Sequence, residues 1–155
     1  MSKSVKRVEE SLESAGLNTE TLKMPASTRT AAEAAAACGC DVAQIVKSLV
    51  FEGMQSGGLK LLLVSGAHQA DMALAEAAIG EPLRRADPRR VREETGFAIG
   101  GVAPLGHKNA PPCWMDTTLL EFERVWAAAG APDTVFQVDP YALQRAIGAT
   151  AVRLA

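Results

Sequence analysis

Aromatic residues are scarce in this chain of 155 residues: Phe, Trp and Tyr together make up 5% of it. With apolar residues at 48%, the core has to be filled by Ala, Val, Leu and Ile, which suits one globular domain. Cysteine is also rare. Cys38, Cys40 and Cys113 are too few, and odd in number, for a disulfide framework. "CGC" is C-x-C, and neither a second cysteine pair nor a histidine cluster completes a zinc site. These residues read as small thiols in a reducing cytoplasm. An excess of charge is missing too: 16 Lys and Arg face 18 Asp and Glu, for a net charge of -2. That excludes a bulk-basic nucleic-acid binder, so any nucleic-acid contact must use a local patch. The longest apolar run, around "LKLLLVSGA", is strand length and far short of a membrane span. "MSKSVKRVEE" has no apolar signal region. The expectation is a cytoplasmic protein without a membrane partner.

Familiar catalytic motifs are absent as well. There is no G-x-S-x-G elbow, Walker loop or H-E-x-x-H, and "GFAIGG" lacks the dinucleotide G-x-G-x-x-G spacing. Nothing in the pattern suggests a cofactor or a metal.

What is present is a series of well-punctuated elements. "VKRVEESLESAGL" spaces Val5, Val8, Leu12 and Ala15 by three and four, then stops at Gly16, as an amphipathic helix does. "TLKM" reads as a short strand. Thr30 with Glu33 forms a capping-box pattern ahead of an alanine-rich helix closed by Gly39. "IVKSLVF" and "LKLLLVS", joined by "EGMQSGG", read as an antiparallel hairpin. Asp71, Asp87 and Asp139 are placed to cap helices that end at Gly80, Gly96 and Gly148. "FAIGGVAPLG" reads as a strand that breaks into a loop, "CWMD" as a short strand, "FERVWAAAG" as extended and ending in a small-residue turn, and "TVFQV" and "TAVRLA" as strands. Hairpins mixed with helices predict a single α/β (α+β mixed) domain, residues 1–155, with a mixed, largely antiparallel central sheet flanked by helices.

Two features invite a chemical reading. Alternation along "QIVKSLVF" puts Lys47 on one face with Ile45, Leu49 and Phe51. An ammonium among large apolar side chains either snorkels to water, pairs with a carboxylate, or works in a pocket. The second feature is "GGVAPLGH". Paired glycines let main-chain N–H groups face a ligand, and Pro104 and Gly106 shape the loop; a simple strand-to-loop turn is the plainer alternative. Together, an ammonium and outward amides suit a phosphate or a developing oxyanion. No side-chain nucleophile or base is evident.

The ordered segments "TAAEAAAACGCDVAQIVKSLVF", "VSGAHQAD", "RRADPRRVREETGFAIGGVAPLGH" and "MDTTL" resemble the YbaK/ProX family, the prolyl-tRNA-synthetase-associated superfamily of trans-editing aminoacyl-tRNA deacylases. The resemblance runs from "STRTA" to the C-terminus. It implies a compact α/β domain that hydrolyses the ester of a mischarged tRNA, often tRNA for proline. The family's strand lysine falls on Lys47 and its G-x-x-x-P loop on Gly100 to Pro104. In that light Lys47 holds the terminal phosphate or ribose and offsets charge on the attacked carbonyl. Amides of Gly100 and Gly101 bind the oxyanion, and water is the nucleophile.

The resemblance also implies a small aminoacyl pocket involving Met24, Thr28 and Ser48. It leaves His107 either on the substrate or capping the loop, and has Asp116 anchoring the loop. Where some members carry a serine, this chain has Ala128, which removes that hydroxyl. Arg84, Arg85, Arg89 and Arg90 form a candidate RNA-contacting patch, or else a solvated helix face balanced by Glu93 and Glu94. The expected partners are mischarged tRNA and a delivering prolyl-tRNA synthetase or elongation factor, with the protein a monomer or weak dimer. A non-catalytic tRNA-binding or synthetase-associated module of the same fold is the alternative.

Overall fold

In the computed structural model, residues 2–26 and 28–155 are described; Ser27, where the family resemblance begins, lies outside them. The helices start where the sequence supplies caps. Ser2 accepts the Val5 N–H at the head of α1 (Lys3–Ser14), whose Val5, Val8 and Leu12 are buried. After β1 (Leu22–Lys23), Thr30 accepts the Glu33 N–H at 3.1 Å and opens α2 (Ala31–Cys38). A short 3-10 turn, Val42–Gln44, leads into β2 (Val46–Gly53), and the hairpin returns as β3 (Leu59–Ser65).

Asp71 caps α3 (Met72–Ile79). The stretch before the Asp-Pro helix start, read only as a basic run, contains a short strand, β4 (Leu83–Arg85), and Asp87 then caps α4 (Pro88–Thr95). The chain continues through β5 (Cys113–Asp116), β6 (Val125–Ala131), β7 (Thr134–Val138), α5 (Pro140–Ile147) and β8 (Thr150–Val152).

Two sheets form, in the orders β4-β2-β3-β5-β8 and β1-β7-β6. The β3–β5 and β5–β8 pairings are parallel and the other four antiparallel. An isolated parallel bridge, Ile45 to Trp126, joins the two sheets. This is the mixed α/β domain that the element pattern predicted. The main core lies between the sheets and under α1, with Leu61, Leu63, Met115, Phe136 and Leu143 fully buried. A second cluster, with Leu62, Val64, Ala75 and Leu154, packs α3 on the opposite face of the larger sheet. Few aromatics are needed because branched aliphatics fill both. No helix among the described residues is long and apolar enough to cross a membrane.

Two local expectations fail. "FAIGG" is not a strand: Phe97 is buried, but Ala98 to Gly101 make a turn in which Gly101 N–H donates to Ala98 O at 3.0 Å. Gly100 has φ +98°, as the third residue of a type II turn requires. "AAAG" does not form a turn either. It lies inside β6, where Ala127 and Ala129 are buried and a Cβ on Gly130 would meet the Ser4 backbone at 2.9 Å. Small residues are there to admit α1, not to reverse the chain.

Candidate active site

The pairing of β2 decides where a cleft can open. Gly53 N–H donates to Gly58 O and Gly66 N–H to Ile45 O, so odd-numbered residues of β2 bond to β3. Even-numbered residues turn their main-chain groups to the other edge, which β4 covers only from Phe51 to Gly53. Along the stretch that β4 leaves open lies a cleft of about 330 Å³, walled by α2, β6 and the turn at Gly100. Lys47, Ser48, Thr28, Gly100, Trp126 and Ala128 all line it. Gly66 keeps the far wall close: a Cβ there would meet Val42 O at 2.5 Å and the Ala31 side chain at 2.9 Å.

Three polar groups of the cleft matter. The Lys47 ammonium donates to the main-chain carbonyl of His68, in the loop after β3. One of its three N–H donors is thereby engaged, leaving two for a ligand. Partial burial lowers its pKa from the usual lysine value. The Ser48 hydroxyl is buried and has no hydrogen-bond partner among the described residues, a state that costs free energy unless a ligand or water completes it. Gly100 is exposed, and its N–H meets no acceptor among the described residues. Gly101 differs: its amide is consumed by the turn, and it is buried against Ala131. Lys47, Ser48, Thr28 and Gly100 thus come together in one cleft, and Gly101 supports the turn from behind.

Residues 25–146 match the aminoacyl-tRNA editing domain family. The chain belongs to that family. It is 31% identical to YwhH of Bacillus subtilis (strain 168) over 114 residues, covering 74% of this chain and 72% of that one. It is also 34% identical to a proline–tRNA ligase of Thermosipho melanesiensis over 82 residues, 52% of this chain and 14% of the ligase. A crystal structure proposed to be a trans-editing enzyme for prolyl tRNA synthetase superposes with a TM-score of 0.92 at 47% identity, covering 99% and 98% of the two chains. That of the hypothetical protein APE2540 superposes with a TM-score of 0.88 at 30% identity, covering 96% and 98%.

Other candidate residues of this editing domain lie away from the cleft. Met24 is tied to the β6–β7 connection, its N–H donating to Asp133 O, and is not part of the cleft wall. Pro104 and His107 line a separate cavity of about 300 Å³ bordered by Ser11 and Ile147. Asp116 is fully buried at the end of β5. The arginine run is partly neutralised within the fold. Arg84 Nε meets Glu52 at 2.6 Å, and Arg90 pairs with both Glu52 and Glu94. The arginine hydrogen bonds, Arg84 first, lower the Glu52 pKa. Glu52 was the partner that sequence proximity could not reveal, since it arrives from β2 across the sheet. Arg85 and Arg89 are exposed, with no acidic partner within ion-pair distance among the described residues.

His107 is a packing residue with a titratable ring. It meets Phe97 edge-on at 5.4 Å between centroids, and its Nε2 is buried without a partner among the described residues. Burial lowers its pKa below the ordinary 6.5; a main-chain bond with Ala103 opposes this, and nearby Arg7 adds to it. Because the unfolded imidazole binds its proton more readily, stability rises with pH between the lowered folded value and 6.5. His107→Gln is therefore expected to flatten the fall in melting temperature as pH drops from about 7 to about 5. Identical slopes in the two proteins would show that the ring is not held neutral.

Proposed function

We propose that this protein is an aminoacyl-tRNA deacylase that cleaves the ester joining a mismatched small amino acid to the 3′ end of a tRNA, tRNA for proline being the first candidate. The observation that carries the reading is the meeting of Lys47, the unengaged Gly100 N–H and the unpartnered Ser48 hydroxyl in one cleft. Family membership and the likeness to a segment of proline–tRNA ligases support it.

In the proposed reaction a water oxygen adds to the ester carbonyl. The Gly100 amide and a free Lys47 N–H bond stabilise the oxyanion that develops. The carbon–oxygen bond to the ribose then breaks, the ribose oxygen takes a proton, and the free amino acid leaves. Among the described residues the cleft lining holds no carboxylate or imidazole as a base, so the substrate's own ribose hydroxyl orients the water and the rate rests on positioning. An ester is activated enough for so sparse a site. Ser48 offers the substrate a hydrogen bond, the kind of contact that discriminates more sharply than a methylene. The RNA backbone is held by Arg85 and Arg89. Arg85 pairs with Phe51, four residues along β2 from Lys47 and so about 13 Å away.

Lys47→Ala is expected to lower the deacylation rate by about 100-fold or more with the melting temperature held. The assay is a panel of tRNA for proline charged separately with alanine, serine, threonine, cysteine and proline. Retained activity in the variant sinks the role of Lys47. A wild-type protein that binds these tRNAs but turns over none of them is instead the non-catalytic module. For the RNA contact, Arg85→Ala with Arg89→Ala should reduce the slope of log affinity against log salt by about 1 to 2, whereas Arg84→Ala should change it less. Equal effects from both would place the phosphates elsewhere.

A further inference from the structure

Lys47 meets, behind the cleft, a group that takes no part in the bond changes of the reaction, the main-chain carbonyl of His68. Register places Lys47 opposite Val64 on β3, and the parallel pairing of Leu63 with Met115 sets Asp116 beside Val64. Lys47, Val64 and Asp116 thus form one row across three strands, on the same face of the sheet. Over this row runs the loop between β3 and α3. Its ends are fixed: Gly66 N–H donates to Ile45 O, and Asp71 N–H to Leu154 O. His68 sits in the middle of it. Its main-chain carbonyl accepts the Lys47 ammonium, and its ring Nδ1 lies 3.9 Å from Asp116 Oδ2.

The Asp116 carboxylate is unusual. It is wholly buried; Oδ1 accepts the Leu154 N–H at 3.2 Å, while Oδ2 accepts from no group among the described residues. A buried carboxylate with an unengaged oxygen is costly unless a donor answers it, and the His68 ring nitrogen faces that oxygen at 3.9 Å. Lys47 has the opposite difficulty: a long stem with many rotamers has to be confined before its ammonium can serve a reacting carbonyl.

We propose that His68 is the positioning residue for Lys47: the buried Asp116 holds the imidazole, which fixes the loop so that the His68 carbonyl holds the ammonium at the cleft. In this role His68 contacts neither the substrate nor the attacking water. The inference rests on the deacylase reading for its catalytic consequence, but not for its geometry. The side chain of His68 is 45% exposed, so its contact with Asp116 adds little to stability and its loss should leave the fold intact.

The test compares wild type, His68→Ala and His68→Gln, the glutamine amide being able to donate to Asp116. Two readouts are taken: deacylation kinetics on mischarged tRNA, and the rate at which Lys47 is acetylated by an amine-reactive ester, followed by mass spectrometry. His68→Ala should lower kcat about 10- to 100-fold with KM little changed, and should raise the labelling of Lys47. His68→Gln should recover most of both. Unchanged kcat and unchanged labelling in His68→Ala overturn the proposal, as does a failure of glutamine to restore either. If wild type cleaves no ester, the deacylase reading falls while the labelling comparison still decides the positioning: faster labelling in His68→Ala upholds it and equal labelling overturns it.

Discussion

The one-sided pairing of β2 is the constraint from which the site follows. Along its whole length β2 bonds to β3, but on its other edge β4 reaches only the last residues, Phe51 to Gly53. A strand edge left open is ordinarily a liability, because it invites pairing with another chain. Here α2, β6 and the turn at Gly100 surround it and convert it into a cleft. The single bridge from Ile45 to Trp126 keeps the second sheet near enough to form a wall without closing the gap. Register matters equally, since a slip of one residue would exchange the faces of Lys47 and Ser48.

Electrostatics are economical in the same way. The charges that pack within the fold are answered within it, as Glu52 answers Arg84 and Arg90 and Glu81 answers Lys60. Glu81 also accepts hydrogen bonds from Ser56 foremost and from the Gln55 N–H, which hold its carboxyl down to about 2 and secure the tip of the hairpin that carries Lys47. Among the described residues, Ser48 Oγ, His107 Nε2 and Asp116 Oδ2 are buried without a partner, and the first of them lines the cleft beside Lys47. An unmet hydroxyl next to an ammonium marks a place for a ligand more clearly than cleft volume does.

Much of this was legible in the chain because local chemistry dictated it. Asp-Pro starts and glycine stops located α4 and α5, and the Gly-rich link between two aliphatic runs located the hairpin. Lys47 stood out because an ammonium interrupts an apolar alternation. What stayed hidden depended on contacts far apart in sequence. The alanines of β6 look like turn residues until α1 is laid across Gly130. For His107, sequence leaves contact with the substrate and capping of the loop both open, and the structure sets its ring against Phe97. His68 gave no signal, as its meaning comes only from a carboxylate 48 positions downstream, Asp116, and from the lysine whose ammonium its carbonyl accepts. The pair Gly100–Gly101 is ambiguous for a related reason: sequence allows both amides to face a ligand, whereas the turn uses that of Gly101 and leaves that of Gly100 without an acceptor among the described residues.

The most direct measurement is a crystal structure with a non-hydrolysable aminoacyl-adenosine analogue in which an amide replaces the ester. The acyl carbonyl is expected within hydrogen-bond distance of Gly100 N–H and Lys47 Nζ, with the amino-acid side chain beside Ser48. Binding of the analogue elsewhere, with the open edge of β2 left unoccupied, would contradict the assignment of that edge as the reacting site.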